Sequence, residues 1–179
     1  MKKIDIKEII LIVVIIILGI FISLNLFKDN KVVFITDNNN LYDKTIKYLL
    51  KQDNNKDKTK KNYKRFIDYK GFGIAQDKKY KYAYMWLISD SYYEKNNKLI
   101  KSAGYSTPCK VIFNKENDKL IKVVFPKDGV LYKASIINMF PKSVQKKVLS
   151  YVANDSNLKK TVDEYYNTMN NNKIYKKEK

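Results

Sequence analysis

Histidine is absent from the 179 residues, and cysteine occurs once, as Cys109. Without an imidazole the chain has no Ser-His-Asp or Cys-His machinery, no usual general base at neutral pH, and no ordinary catalytic zinc site. A single cysteine forbids an internal disulfide, so stability must come from the core alone. Arginine is nearly missing too: Arg65 is the only one among 36 basic residues. Nucleic-acid readers depend on the guanidinium fork for bidentate contacts, so a net charge of +18 carried by lysine does not point to nucleic acid. Lysine, asparagine, isoleucine and tyrosine are abundant together, as in AT-rich coding sequences. Net charge speaks first to solubility and loose association with anions.

What is present begins with one long apolar run. Residues 9–27 read IILIVVIIILGIFISLNLF, interrupted only by Gly19, Ser23 and Asn25. At ~1.5 Å per residue the run spans about 28 Å, the thickness of a hydrocarbon core, and a helix satisfies its backbone groups in lipid. A cleavable signal peptide is the competing reading, but no small-x-small cleavage site follows, and no cysteine offers a lipid attachment. The sequence therefore predicts a cytoplasmic tip over 1–7, a single transmembrane anchor over 8–27, and the rest outside. Lysines flank the run on both sides, so orientation rests on the short N-terminal tip and the long C-terminal part. The expected localisation is the cell membrane, single-pass, with an extracytoplasmic domain.

Apolar content of 45% with 13% aromatics then argues for a folded domain of ordinary size. Residues 28–64 are expected to hold a membrane-proximal strand (KVVFIT, 31–36), an amphipathic helix and a lysine-rich loop. The helix is marked by Tyr42, Ile46, Leu49 and Leu50, and the loop spans 52–62, where no apolar residue occurs. From 65 to 126 the pattern is that of strands. Gly71 and Gly73 suggest a bulge or a tight bend within a strand, and 80–88 (YKYAYMWLI) alternates an aromatic face with an apolar one. Asn96-Asn97 marks a turn, and 109–113 and 120–125 make a hairpin across 114–118. After the turn at 126–129, helices are expected over 131–170. Their apolar faces carry Tyr132, Ile136 and Phe140, then Val144, Val148 and Val152 behind Pro141, then Leu158, Val162, Tyr165 and Met169 with Asp155 as N-cap. Residues 171–179 read as a disordered tail. The fold class is α+β: an N-terminal transmembrane helix, then an antiparallel sheet of four to five strands packed with N- and C-terminal helices.

Residues from about 66 to 169 carry a resemblance. Tyr82-Ala83-Tyr84-Met85, Tyr92-Tyr93, Asn96-Asn97-Lys98-Leu99, Ser106-Thr107-Pro108, Pro126-Lys127-Asp128-Gly129, Ser135-Ile136, Phe140-Pro141 and Lys147-Val148-Leu149 resemble one group of extracytoplasmic domains. These are the C-terminal domains of some clostridial-type membrane proteins in the beta-lactam-sensor/antirepressor metallopeptidase family. There the peptidase sits in a separate multi-helix part with a His-Glu-x-x-His site. That part has no counterpart here, so no catalytic residue carries over. The resemblance implies an accessory domain outside the membrane, of unknown ligand.

Few motifs suggest chemistry. Gly71-Phe72-Gly73 lacks the third glycine and the following helix of a phosphate cradle. Ser-x-x-Lys occurs at Ser143/Lys146 and Ser156/Lys159, the spacing used for acylation in penicillin-recognising enzymes, but about two such matches arise by chance in so lysine-rich a chain. The companion Lys-Thr-Gly is missing. Cys109 in a strand reads as a small hydrophobe. Asp163 and Glu164 are adjacent and diverge by about 100° on a helix. The tyrosine-rich strand suits a sugar or peptide groove, although packing under a helix is the commoner use of such a stripe. The candidate ligand-binding residues are Tyr82, Tyr84, Trp86, Tyr92 and Tyr93, with no catalytic residue, metal or cofactor. Expected partners are the bilayer through the anchor, and an envelope protein, peptide or anionic polymer, with no nucleic acid. The functional expectation is a non-catalytic domain that binds or senses something at the bacterial envelope. A carboxylate-dependent hydrolase and a structural subunit of a membrane complex are the alternatives.

Overall fold

Alternation of side chains along extended backbone, with few interruptions, produces one five-stranded antiparallel sheet. The computed structural model describes residues 32–35, 39–56, 63–96 and 98–177. The cytoplasmic tip at 1–7 and the anchor at 8–27 lie outside the described residues. The chain divides into two compact units, Met1–Val33 and Phe34–Lys179. The elements are β1 (Val33–Ile35), α1 (Asn39–Lys56), β2 (Tyr63–Gln76), β3 (Tyr80–Lys95), β4 (Lys98–Asn114) and β5 (Leu120–Val124). A single 3-10 turn (Gly129–Leu131) then leads into α2 (Tyr132–Met139), α3 (Lys142–Leu149) and α4 (Ser156–Lys177). The strand order is β1-β2-β3-β4-β5, a simple meander. Its three long strands are joined by tight turns, so neighbours in sequence pair directly.

The two sheet faces bury different residues. Ala83, Met85 and Leu87 of β3 point to one face, together with Ile74, Cys109, Val111 and Phe113, and Leu41 and Tyr42 of α1 close over them. Tyr84 and Ala75 point to the other face, where they meet Ile136, Phe140, Val144 and Val148 of the α2–α3 pair. Further along that face Phe66 and Ile88 pack against Leu158 and Val162 of α4. Helices thus cover both faces. This is why β3 is buried along most of its length, as expected of a strand apolar on two sides.

Local chemistry sets the corners. Asp77 closes the β2–β3 hairpin: its carboxylate accepts from the Lys79 and Tyr80 N–H groups at 2.7 Å and from the Tyr82 hydroxyl at 2.6 Å. At the β4–β5 turn the Asn114 side chain accepts from Glu116 and Asn117 N–H, and Asp118 adopts a left-handed conformation. Gln145 donates to the Ile137 and Phe140 carbonyls and so fastens the α2–α3 corner.

Several boundaries depart from the sequence expectations. α1 continues through Lys56, into the segment read as a loop from residue 52, because its last turns are polar in sequence but contain no helix breaker. The strand expected at 109–113 is the end of a strand that starts at Lys98 and passes through Pro108. Proline is tolerated there because β5 pairs only with Lys110–Phe113, so β4 has an open outer side at Pro108. Continuing the same register would set Pro126 opposite Pro108, and two residues without N–H end the ladder. Pro141 stands just before α3 in extended conformation rather than inside its first turn. α4 runs on to Lys177, through most of the tail expected to be disordered, with no glycine or proline to stop it. Among the described residues no helix is long and apolar enough to cross a membrane.

Candidate functional site

The glycine pair of β2 shapes an open cleft of the domain. Gly73 adopts a positive φ of 123°, and the β2–β3 register slips between Gly71 and Gly73, leaving Phe72 as the extra residue of a bulge. The bulge is held from the opposite sheet face: Gly73 N–H donates to the Tyr42 hydroxyl at 3.0 Å. A Cβ on Gly71 would meet the same tyrosine ring at 2.8 Å, so glycine is required by close approach. The extra residue swings Phe72 onto Tyr151, with ring centroids 5.5 Å apart.

An open cleft of about 850 Å³ results, lined by Phe34, Ile35, the bulge, Lys70, Lys147 and residues 150–152. Among the described residues three aromatic rings (Phe34, Phe72 and Tyr151) and two ammonium groups line it, and no carboxylate does. Neither Lys70 nor Lys147 has an ion-pair partner among the described residues. Two positive charges with no ion-pair partner among the described residues, beside aromatic walls, attract an anionic group and give it a flat surface to rest against.

A second cleft of about 370 Å³ is lined by Ile88, Asp90, Lys101, Gly104, Ser106, Ala153 and Asp155, with Tyr105. Its charges are largely satisfied internally. Lys101 donates to the buried Asp90 carboxylate at 2.6 Å, and that hydrogen bond, more than burial opposes it, raises the lysine above its ordinary value. Asp155 is paired with Lys159 at 3.0 Å, and its carboxyl is lowered first by that hydrogen bond. Gly104 faces Asp90 across the strands, and a Cβ there would collide with the Asp90 carboxylate. Beside it, burial and then the Asp90 charge raise the Tyr92 hydroxyl.

The residues singled out from the sequence take separate roles. Tyr84 is buried under Phe140, with centroids 5.6 Å apart, and burial raises its hydroxyl to about 12. Tyr82 is tied to the Asp77 turn; burial first, and then that hydrogen bond, raise its hydroxyl far above the ordinary value. Tyr92 packs edge-on against Phe66 at 5.8 Å, while Tyr93 falls by alternation on the α1 face of the sheet. Trp86 lines neither cleft but touches a wall of each. It stacks near Tyr151 at 5.2 Å, pairs in register with Lys70, and donates its indole N–H to Ser106 at 2.7 Å.

Lys70, Lys147, Phe34, Phe72 and Tyr151 carry no sequence signal beyond the glycine bulge. Ser143, Lys146, Ser156 and Lys159 are exposed on helix surfaces. Cys109 is fully buried, and burial pushes its thiol far up, which keeps it protonated. Among the described residues no group of acidic or sulfur side chains is arranged to hold a metal ion. No family model matches this chain, and no curated protein or solved structure matches it.

Proposed function

We propose that this protein is a membrane-anchored, non-catalytic binding or sensing domain outside the bacterial cell membrane, and that its larger cleft takes an anionic envelope ligand. The observation that carries this reading is the meeting of Lys70 and Lys147, which have no ion-pair partner among the described residues, with Phe34, Phe72 and Tyr151 in a cleft that no described carboxylate lines. The apolar run at 9–27 supports the anchor, and the short tip before it supports a domain on the outside. The resemblance of residues 66–169 to extracytoplasmic accessory domains of sensor-type membrane proteins supports the same placement. The test is calorimetric titration of the full chain in neutral detergent with three soluble probes: a free-acid peptide mixture, a glycerol phosphate oligomer and a neutral glucan oligomer. Saturable binding of an anionic probe, without binding of the glucan, is expected. Equal binding of all three, or of none, overturns the reading.

A second reading, a carboxylate-dependent envelope hydrolase, draws on Asp90 and Asp155 lining one cleft. It requires turnover of an envelope polymer that disappears in Asp90→Asn and Asp155→Asn. The binding reading requires no turnover.

A further inference from the structure

We propose that the α2–α3 pair lies against the bilayer that carries the anchor, and that the anion received between Lys70 and Lys147 is the phosphate of a lipid headgroup in that bilayer. This rests on the anchored binding domain proposed above and names the ligand of its cleft. Composition singles out this part of the chain. Residues 129–154, which hold α2, α3 and the connection to α4, contain four lysines and no aspartate or glutamate. Lys133, Lys142, Lys146 and Lys147 are all exposed. The inner side of the pair is spent on the sheet, through Ile136, Phe140, Val144 and Val148. Yet aliphatic side chains also stand on its outside: Val130 is 99% exposed and Val152 86%, and Leu131, Ile137 and Leu149 are exposed too. Aliphatic groups with no core to enter, set among positive charges alone, suit a headgroup layer, which takes the first at its acyl boundary and the second on its phosphates.

Chain length brings this surface to the membrane. Between Phe27, the last residue of the apolar run, and Val33, the first of β1, stand five residues. Whatever path they take, they reach at most about 20 Å, of which the headgroup layer takes up about 5–8 Å. Phe34 and Ile35 of β1 line the same cleft as Lys147, Ser150, Tyr151 and Val152, so the end of α3 stands beside the strand that the anchor tethers. Docking within one tethered chain draws on a high effective concentration, and a weak, salt-sensitive attraction is enough. The other outer helices are built differently: α1 carries Asp43 and Asp53, and α4 carries Asp163 and Glu164. A soluble ligand would account for Lys70 and Lys147, but not for the lysines and aliphatic groups that stand outside the cleft on α2 and α3.

The test places the full chain in lipid nanodiscs. An environment-sensitive, thiol-reactive fluorophore is attached to Val152→Cys and, in a second protein, to Tyr48→Cys of α1 on the opposite sheet face. The buried Cys109 does not compete for the label. The discs are neutral phosphatidylcholine, or the same lipid with about a third of phosphatidylglycerol, which supplies a surface of phosphate anions. In the anionic discs the Val152 label should shift to the blue and be quenched by a lipid-borne nitroxide, and the Tyr48 label should do neither. Lys142→Gln/Lys146→Gln, outside the cleft, should lower the docked-to-free ratio by roughly 20–30-fold, at about fivefold per lysine. The same pair should leave binding of a soluble glycerol phosphate oligomer unchanged. A Val152 label indifferent to lipid charge, a Tyr48 label that responds as strongly, or a lysine variant that docks like the wild type overturns the proposal. If the soluble oligomer moves the Val152 label in neutral discs while anionic discs do not, the proposal falls and the anionic-cleft reading stands. Silence toward both removes both.

Discussion

Replacing Tyr42 by phenylalanine isolates one oxygen atom that joins the two faces of the sheet. The ring is fully buried and packs against Tyr69 at 5.3 Å, so the substitution keeps the packing and removes the acceptor for Gly73 N–H. That N–H lies at a bulge, where the ladder supplies no replacement, and it is partly screened from water. Losing one such hydrogen bond with the donor left unsatisfied costs about 1–2 kcal/mol. For a unit the size of Phe34–Lys179 this corresponds to a fall of roughly 3–8 °C in Tm. Thermal melts followed by far-UV circular dichroism would measure it, with Tyr48→Phe on the exposed side of α1 as the control expected to leave Tm unchanged. The cleft floor depends on the same bond, so Tyr42→Phe should also weaken ligand binding although Tyr42 touches no ligand. A Tm equal to the wild type's would refute the claim that this hydroxyl holds the bulge.

Leu158→Ala should cost about 2–5 kcal/mol in chemical denaturation, because the side chain is buried between α4 and the sheet beside Phe66 and Ile88. Gly104→Ala should destabilise by about 1–3 kcal/mol, since its methyl displaces the Asp90 carboxylate from Lys101; a stability equal to wild type would contradict the geometry. For Asp77, burial raises the carboxyl, but the hydrogen bonds from Tyr82, Lys79 and Tyr80 outweigh it and hold the group below its ordinary value. A depressed carboxyl contributes stability above its unfolded pKa and loses it as pH falls through the folded value. Asp77→Asn should therefore lower Tm at neutral pH, and the gap to wild type should close below about pH 4. A gap constant with pH would show that Asp77 contributes no charge-dependent stability.

The sheet is readable from the residues because alternation and turn chemistry are local. Gly71 and Gly73 mark the place of the bulge, Asn96, expected in a turn, adopts a left-handed conformation, and 114–118 supplies the hairpin. Helix ends were harder to place, since the outer turns of α1 and α4 are rich in asparagine and lysine and look like loop in composition. Pro108 reads as a strand boundary until the short β5 shows that it stands on an open edge. The cleft is not legible at all. Phe34, Lys70 and Lys147 are far apart in the chain, and nothing in the sequence distinguishes those lysines from their many neighbours; only the fold brings the two to one cleft. The tyrosine stripe was legible as a face, but which rings are core and which adjoin a cleft depends on where the C-terminal helices lie. Tyr84 went under Phe140, and Trp86 was left beside Tyr151.

The most direct test of the central claim compares the wild type with the Lys70→Met/Lys147→Met double variant for affinity toward the anionic probe that binds best. Both side chains are exposed, so the variant should fold with an unchanged melting curve. If the two ammonium groups hold the ligand, affinity should fall by about a hundredfold, and wild-type binding alone should weaken steeply with salt. Equal affinity and equal salt dependence in the two proteins would contradict the account.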